Sequence, residues 1–152
     1  MKQNIYQELE QTKNEGNKYF SDLNYDKCIE KYYTVLDRLE NIDQEDKITY
    51  KNQLFNLEIA TRLNLANVKI ITREYNIVIN ECQKVLKIGD NFKAHYRMGV
   101  AYYNLKNYEK ANEHFIKSKE LSEGESIAVI NNYISETSKH IKKANLMSKN
   151  II

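Results

Sequence analysis

The chain has 152 residues, of which 29% are charged, 41% hydrophobic and 11% aromatic, with no proline, no tryptophan and four glycines. That length suits one domain with a real core, the formal net charge of +2 is too small to mark a nucleic-acid binder, and no apolar run approaches the roughly 18 residues of a membrane-spanning helix. The polar opening MKQNIYQELEQ lacks the apolar core of a signal peptide. Two cysteines, Cys28 and Cys82, make no disulfide framework, so a reducing, cytoplasmic setting is expected.

No run of alternating β-branched residues between turn dipeptides is present, so strands are not expected and the chain reads as amphipathic helices. In order, helices are predicted over about 4–21 and 25–41, then 45–71 and 74–86, then 91–105 and 108–121. Asn24, Asn107 and the stretch Asp43–Asp46 supply turn or capping residues between helices, and Gly89-Asp90-Asn91 separates the second pair from the third. The run LENIDQEDKITYKNQLFNLEIA holds few breakers and reads as lengthened helices around a turn near Asp43. A seventh helix, about 125–149, carries Ile127, Ile130, Ile134 and Ile141 at helical steps.

The pairs are in register with one another. Gly99 has counterparts in Ala66 and Gly16, Ala111 in Val78 and Cys28, and Phe115 in Cys82 and Tyr32, always at separations of 33 and 50 residues. Agreement at three positions defines an internal repeat, and repeats of this size stack as supersecondary units. The small residues allow two antiparallel helices to approach, and the aromatics fill the space beside them. The predicted organisation is one domain, 1–152, with repeats at about 4–41, 45–86 and 91–121. The last helix closes the exposed end, as a solenoid requires.

These segments resemble the tetratricopeptide repeat (TPR). KNEGNKYF with NYDKCIEKYYTVL resembles a first repeat, TRLNLANVKI with YNIVINECQKVLKI a second, and KAHYRMGVAYYNLKNYEKANEHFIKS a third. The long insertion and LNLAN are most similar to the C-terminal TPR domain of immunophilin co-chaperones of the FK506-binding type. Cys28, Val78 and Cys82 depart from the usual alanine and aromatic, and the linker from the second to the third repeat is one residue short. The fold implied is all-α: three helix-turn-helix repeats in a right-handed superhelix plus a capping helix, seven helices in all.

In such a superhelix the first helix of each pair lines a concave groove. Chaperone-binding members of the family carry Lys-x3-Asn, then Asn, then Lys-x3-Arg on those helices as a dicarboxylate clamp, and Lys13, Asn17, Asn64, Lys93 and Arg97 match all five positions. A peptide ending in Asp offers two carboxylates; Lys and Arg supply charge and Asn supplies amide donors. The resemblance implies a ligand ending Glu-Glu-Val-Asp, the tail of heat-shock protein 90 and heat-shock protein 70. Within it Lys13, Asn17 and Asn64 would hold the terminal carboxylate, and Lys93 and Arg97 the Asp side chain or neighbouring carbonyls. Phe20 would flank the pocket for the penultimate valine, and Asn67 would face the groove.

Other chemistry is not signalled. Cys28 and Cys82 fall on buried helix positions and read as packing. His95, His114 and His140 lie on three helices without metal-ligand spacing. The glycines form no phosphate loop, and no carboxylate pair suggests acid–base work, so neither an enzyme nor a cofactor is expected. Lys139, His140, Lys142 and Lys143 give the last helix a basic face. Such a face suits calmodulin or an acidic surface, but a solvated face on a capping helix is the expectation. Two alternatives to a stand-alone chaperone-tail binder remain: the TPR part of a larger peptidyl-prolyl isomerase, or a scaffold for an unrelated partner.

Overall fold

The computed structural model describes residues 2–125 and 127–150; among them are eight helices and no strand. The helices are α1 (Ile5–Ser21), α2 (Tyr25–Glu40), α3 (Gln44–Thr49), α4 (Lys51–Ile71), α5 (Tyr75–Ile88), α6 (Phe92–Asn104), α7 (Tyr108–Glu120) and α8 (Ala128–Asn150). Three pairs, α1–α2, α4–α5 and α6–α7, pack side by side. They stack in chain order, with α1 against α4 and α4 against α6 along one side. α8 packs on α7 at the end of the stack.

Caps start most of these helices. The side chains of Asn4, Asn24, Asp43, Asn91 and Asn107 each accept a backbone N–H three residues on, and Gln7 completes a capping box at α1. The turns inside the pairs are alike. Leu23, Arg73 and Lys106 have φ of 59°, 62° and 63°, a left-handed conformation that usually belongs to glycine. The N–H of the next residue, Asn24, Glu74 or Asn107, reaches back to the carbonyl of Tyr19, Lys69 or Tyr102 at 2.9 Å. That bond closes a Schellman turn and satisfies a carbonyl the helix end leaves open. The three turns are spaced by the same 33 and 50 residues as the small and aromatic positions.

Close approach within the first and third pairs depends on glycine. A Cβ on Gly16 would lie 2.7 Å from Tyr32 Cε1, and one on Gly99 would lie 2.7 Å from Phe115. Both rings are almost wholly buried. In the middle pair Ala66 and the buried Cys82 share one cluster, so a slightly larger residue faces a much smaller one. Both cysteines are buried and unpaired. Phe115 then carries the end of the stack, with Tyr133 of α8 stacked at 4.6 Å between ring centroids and Ile127, Ile130 and Ile134 around it.

The predicted single helix over 45–71 is two helices, which raises the count from seven to eight. The break falls at Tyr50, with φ −112° and ψ 25°, where no glycine or proline marks it. Burial explains it. No residue of α3 is buried, whereas Leu54 and Leu57 of α4 join Leu9, Val35 and Ile42 in the core, so α4 follows the core and α3 does not. The basic face expected on α8 also changes. His140 lies flat on Tyr108 at 4.1 Å, interplanar angle 2°, and belongs to the packed side, while residues 142–149 are exposed.

His95 and His114 meet between α6 and α7, their Nδ1 atoms 3.0 Å apart, with Asp90 Oδ1 3.3 Å from His95 Nε2. One ring must donate and the other accept, so the contact needs at least one neutral imidazole. Burial, then His95, push the pKa of His114 below its ordinary 6.5, with Glu113 opposing and Lys110 adding to the shift. A depressed histidine pKa means that the unfolded chain takes up the proton first. Stability is therefore full above pH 6.5 and declines as pH falls from there towards the folded value.

Two measurements check this packing. The urea midpoint should fall between pH 7.5 and 5.5, and His114→Gln should flatten that fall. Gly99→Ala should destabilise by about 1–3 kcal/mol through overpacking on Phe115, whereas Lys106→Gly should stabilise by about 1 kcal/mol by relieving a left-handed residue.

Candidate functional site

Two cavities share the side lined by α1, α4 and α6. The first, about 350 Å³, is lined by Asn64, Lys93 and Arg97, with the apolar floor Ile59, Ala60, Leu63 and Phe92, and with Asn56, Asn91 and Glu125 at its edge. The second, about 270 Å³, is lined by Asn17, Phe20, Ser21, Tyr32, Asn64 and Asn67. Asn64 belongs to both and links them. Of the seven residues predicted from sequence, six line this pair of cavities. Lys13 does not; it stands on α1 one turn before Asn17, half-buried. A larger cavity, about 470 Å³, lies at Leu39, Ile42, Ile48, Leu54 and Phe55, mainly apolar, with Gln44, Lys47, Lys51 and Glu58 also in its lining.

Arg97 is the unusual group. Arg62 and Lys69 are also sunk in the stack, and both are paired. Arg62 meets Glu81 at 2.7 Å and Glu58 at 3.0 Å, and Lys69 meets Glu74 at 2.8 Å. Arg97 Nη1 is buried and has no hydrogen-bond partner among the described residues. Its close neighbours bring no negative charge. Burial raises the Cys82 thiol to about 12, against a lowering pull from Arg97, and burial raises the Tyr96 phenol as well. Both stay neutral at pH 7. Burial in turn draws the Arg97 pKa below its ordinary value, although a guanidinium remains charged. A cation drawn out of water without a counter-charge is costly.

The amides are arranged around one oxygen. Asn17 Oδ1 accepts from the Tyr32 hydroxyl at 2.5 Å and from Asn64 Nδ2 at 3.1 Å. So oriented, Asn17 keeps its NH2 group, and Asn64 one of its N–H bonds, for the cavity. Lys93 is exposed at the rim, and among the described residues neither Lys93 nor Lys13 forms a salt bridge.

Sequence reading missed two groups here. Tyr32 was placed as the aromatic of the first repeat, and its hydroxyl had no assigned partner; the position was legible but the bond was not. Glu125 sits in the loop before α8, where no periodicity gives a direction. Its carboxyl is held below the usual range by the backbone N–H groups of Glu123 and Glu125, despite burial, with help from Lys93. It therefore presents a negative charge at the edge of a cationic cavity, and it pairs with neither cation within salt-bridge distance among the described residues.

Known proteins can be set beside this geometry. A tetratricopeptide-repeat family model matches residues 92–124. The C-terminal TPR-containing domain of a protein described as an FK506-binding protein of Plasmodium falciparum superposes with a TM-score of 0.82 at 30% identity, covering 92% of each chain. The chain belongs to the tetratricopeptide-repeat family. TPR units are protein-interaction modules, so this is a protein-binding module. The first TPR of Spaghetti (RPAP3), solved bound to the HSP90 peptide SRMEEVD, superposes with a TM-score of 0.72 at 20% identity, covering 91% of this chain and 99% of that one. At that identity the likeness speaks for the fold alone. Human intraflagellar transport protein 88 homolog is 25% identical over 104 residues, 68% of this chain, but the chain spans only 11% of that protein's length.

The unpaired guanidinium predicts a trade between stability and binding. Arg97→Met should raise the unfolding free energy of the unliganded protein by about 1 kcal/mol or more, because it removes an uncompensated buried charge. Chemical denaturation without ligand measures it.

Proposed function

We propose that this TPR module is a non-enzymatic co-chaperone domain whose groove clamps the acidic C-terminal peptide, ending Glu-Glu-Val-Asp, of heat-shock protein 90 or heat-shock protein 70. The observation that carries the reading is Arg97, a half-buried cation that lines the same cavity as Lys93 and Asn64 and whose buried Nη1 has no hydrogen-bond partner among the described residues. A chain-terminal Asp supplies two carboxylates, one for each end of the linked cavities. Asn17 and Asn64 receive the terminal carboxylate, with Lys13 one turn away on α1 as a further charge. Lys93 and Arg97 receive the Asp side chain or adjoining carbonyls. Phe20 flanks the penultimate valine and Asn67 meets the peptide upstream. That a TPR of similar fold was solved with an HSP90 peptide ending EEVD supports the choice of ligand. Charge-assisted hydrogen bonds contribute roughly 1.5–3 kcal/mol each, and three or four of them, less the cost of ordering the peptide, suit a Kd on the order of micromolar.

A second reading follows from the likeness to the Plasmodium falciparum domain, which is the C-terminal part of its protein. Under it, these residues are the chaperone-docking part of a larger peptidyl-prolyl isomerase, working in the cytoplasm. The full reading frame decides between them. Partners by way of the last helix, calmodulin among them, have no comparable support.

Calorimetry with a Glu-Glu-Val-Asp peptide tests the clamp. Binding should weaken with added salt, and amidating the peptide's C-terminus should weaken it by about 1.5 kcal/mol or more, the worth of one charged hydrogen bond. Arg97→Ala or Lys13→Ala should cost about 2 kcal/mol on the same ground. Equal affinity for free acid and amide contradicts the proposal.

A further inference from the structure

We infer that Tyr32 is a positioning residue of the groove: its hydroxyl, by donating to Asn17 Oδ1, sets which end of the Asn17 amide faces the ligand. The inference rests on the clamp reading and adds the device that gives the clamp its sign.

An asparagine amide is a poor anion receptor unless it is oriented. Its two ends are nearly the same size, and rotation by half a turn exchanges two donors for an acceptor. A free Asn17 would offer its carbonyl oxygen to an incoming carboxylate about as readily as its NH2. Two donors prevent this. The Tyr32 hydroxyl at 2.5 Å and Asn64 Nδ2 at 3.1 Å both bond Asn17 Oδ1, so turning the amide over would set N–H against N–H at Asn64 and take from the buried Tyr32 hydroxyl the oxygen it donates to. Asn64 is held by the same contact, its remaining N–H left over. Both amides then present hydrogens to the cavity they share.

Tyr32 is suited to hold that orientation. It is 2% exposed, so its ring cannot swing away. It reaches α1 because residue 16 is glycine; any Cβ there would occupy the place of the ring edge. Burial drives its phenol pKa well above the ordinary 10.0, so the hydroxyl stays a donor. The repeat supplies an internal comparison. Tyr32 corresponds in register to Cys82 and Phe115, both fully buried. Phe115 has no polar atom, and the residue in register with Asn17 in its repeat is Val100, which needs no orientation. Only the first repeat couples an aromatic hydroxyl to a clamp amide, although phenylalanine fills the equivalent space in the third.

Tyr32→Phe keeps the ring and removes the bond. The variant should bind the free-acid Glu-Glu-Val-Asp peptide about threefold to tenfold more weakly than wild type, the worth of one ordering hydrogen bond. The ratio of free-acid to amide affinity should shrink with it, because an unrestrained Asn17 can turn its carbonyl to the NH2 of an amidated terminus. A merely structural tyrosine would change the thermal midpoint and leave that ratio alone. A wild type that does not distinguish acid from amide overturns the clamp itself. A wild type that does, with an unchanged ratio in Tyr32→Phe, overturns the role of Tyr32 only. Should the variant fail to fold, the hydroxyl proton of Tyr32 in the unliganded wild type decides: protection from exchange with water is expected of a hydroxyl that donates to Asn17 Oδ1, and exchange at the rate of a free phenol contradicts the inference.

Discussion

Everything in the groove depends on how near the two helices of a pair can come. At Gly16 and Gly99 the approach is so close that a ring of the partner helix occupies the volume a Cβ would take. The contact does two kinds of work. In the third pair it seats Phe115, on which Tyr133 and the isoleucines of α8 assemble, so it closes the end of the stack. In the first pair it seats Tyr32 and carries a hydroxyl to Asn17, on the cavity side of α1. Packing and recognition thus share one constraint.

The cations of the stack divide by their partners. Arg62 is held by two carboxylates and Lys69 by one, and such pairs set the register of neighbouring helices at little net gain in stability. Arg97 is less deeply set, but its Nη1 is buried and has no such partner among the described residues. The difference separates charges paired within the fold from one whose Nη1 has no hydrogen-bond partner among the described residues. Glu125 adds a carboxylate at the cavity edge without satisfying that donor.

Much of this was legible in the sequence because it is periodic. Gly16, Ala66 and Gly99, with their paired Tyr32, Cys82 and Phe115, fix the repeat in one dimension, and stacking turns that register into a groove. Six of the seven proposed groove residues line the cavities for that reason. The missing pieces are periodic but carry no residue signal, or are not local. Leu23, Arg73 and Lys106 adopt left-handed turns that residue type argues against, because the Schellman bonds and the packing of both helices outweigh the local cost. The break at Tyr50 comes from where Leu54 and Leu57 find a core, which no signal within 45–71 records. His95 and His114 looked unrelated on separate helices and meet only because those helices are partners. Lys13 lies on α1 one turn before Asn17 but outside the lining of either cavity; a helix position alone does not fix where a long side chain ends.

The most direct test of the central claim is side-chain NMR during titration with a free Glu-Glu-Val-Asp peptide. The guanidinium signal of Arg97 and the amide signals of Asn17 and Asn64 should move together and saturate at one common Kd. Shifts confined to the apolar cavity at Ile48 and Phe55, or to the exposed end of α8, with those three unmoved, would contradict the account.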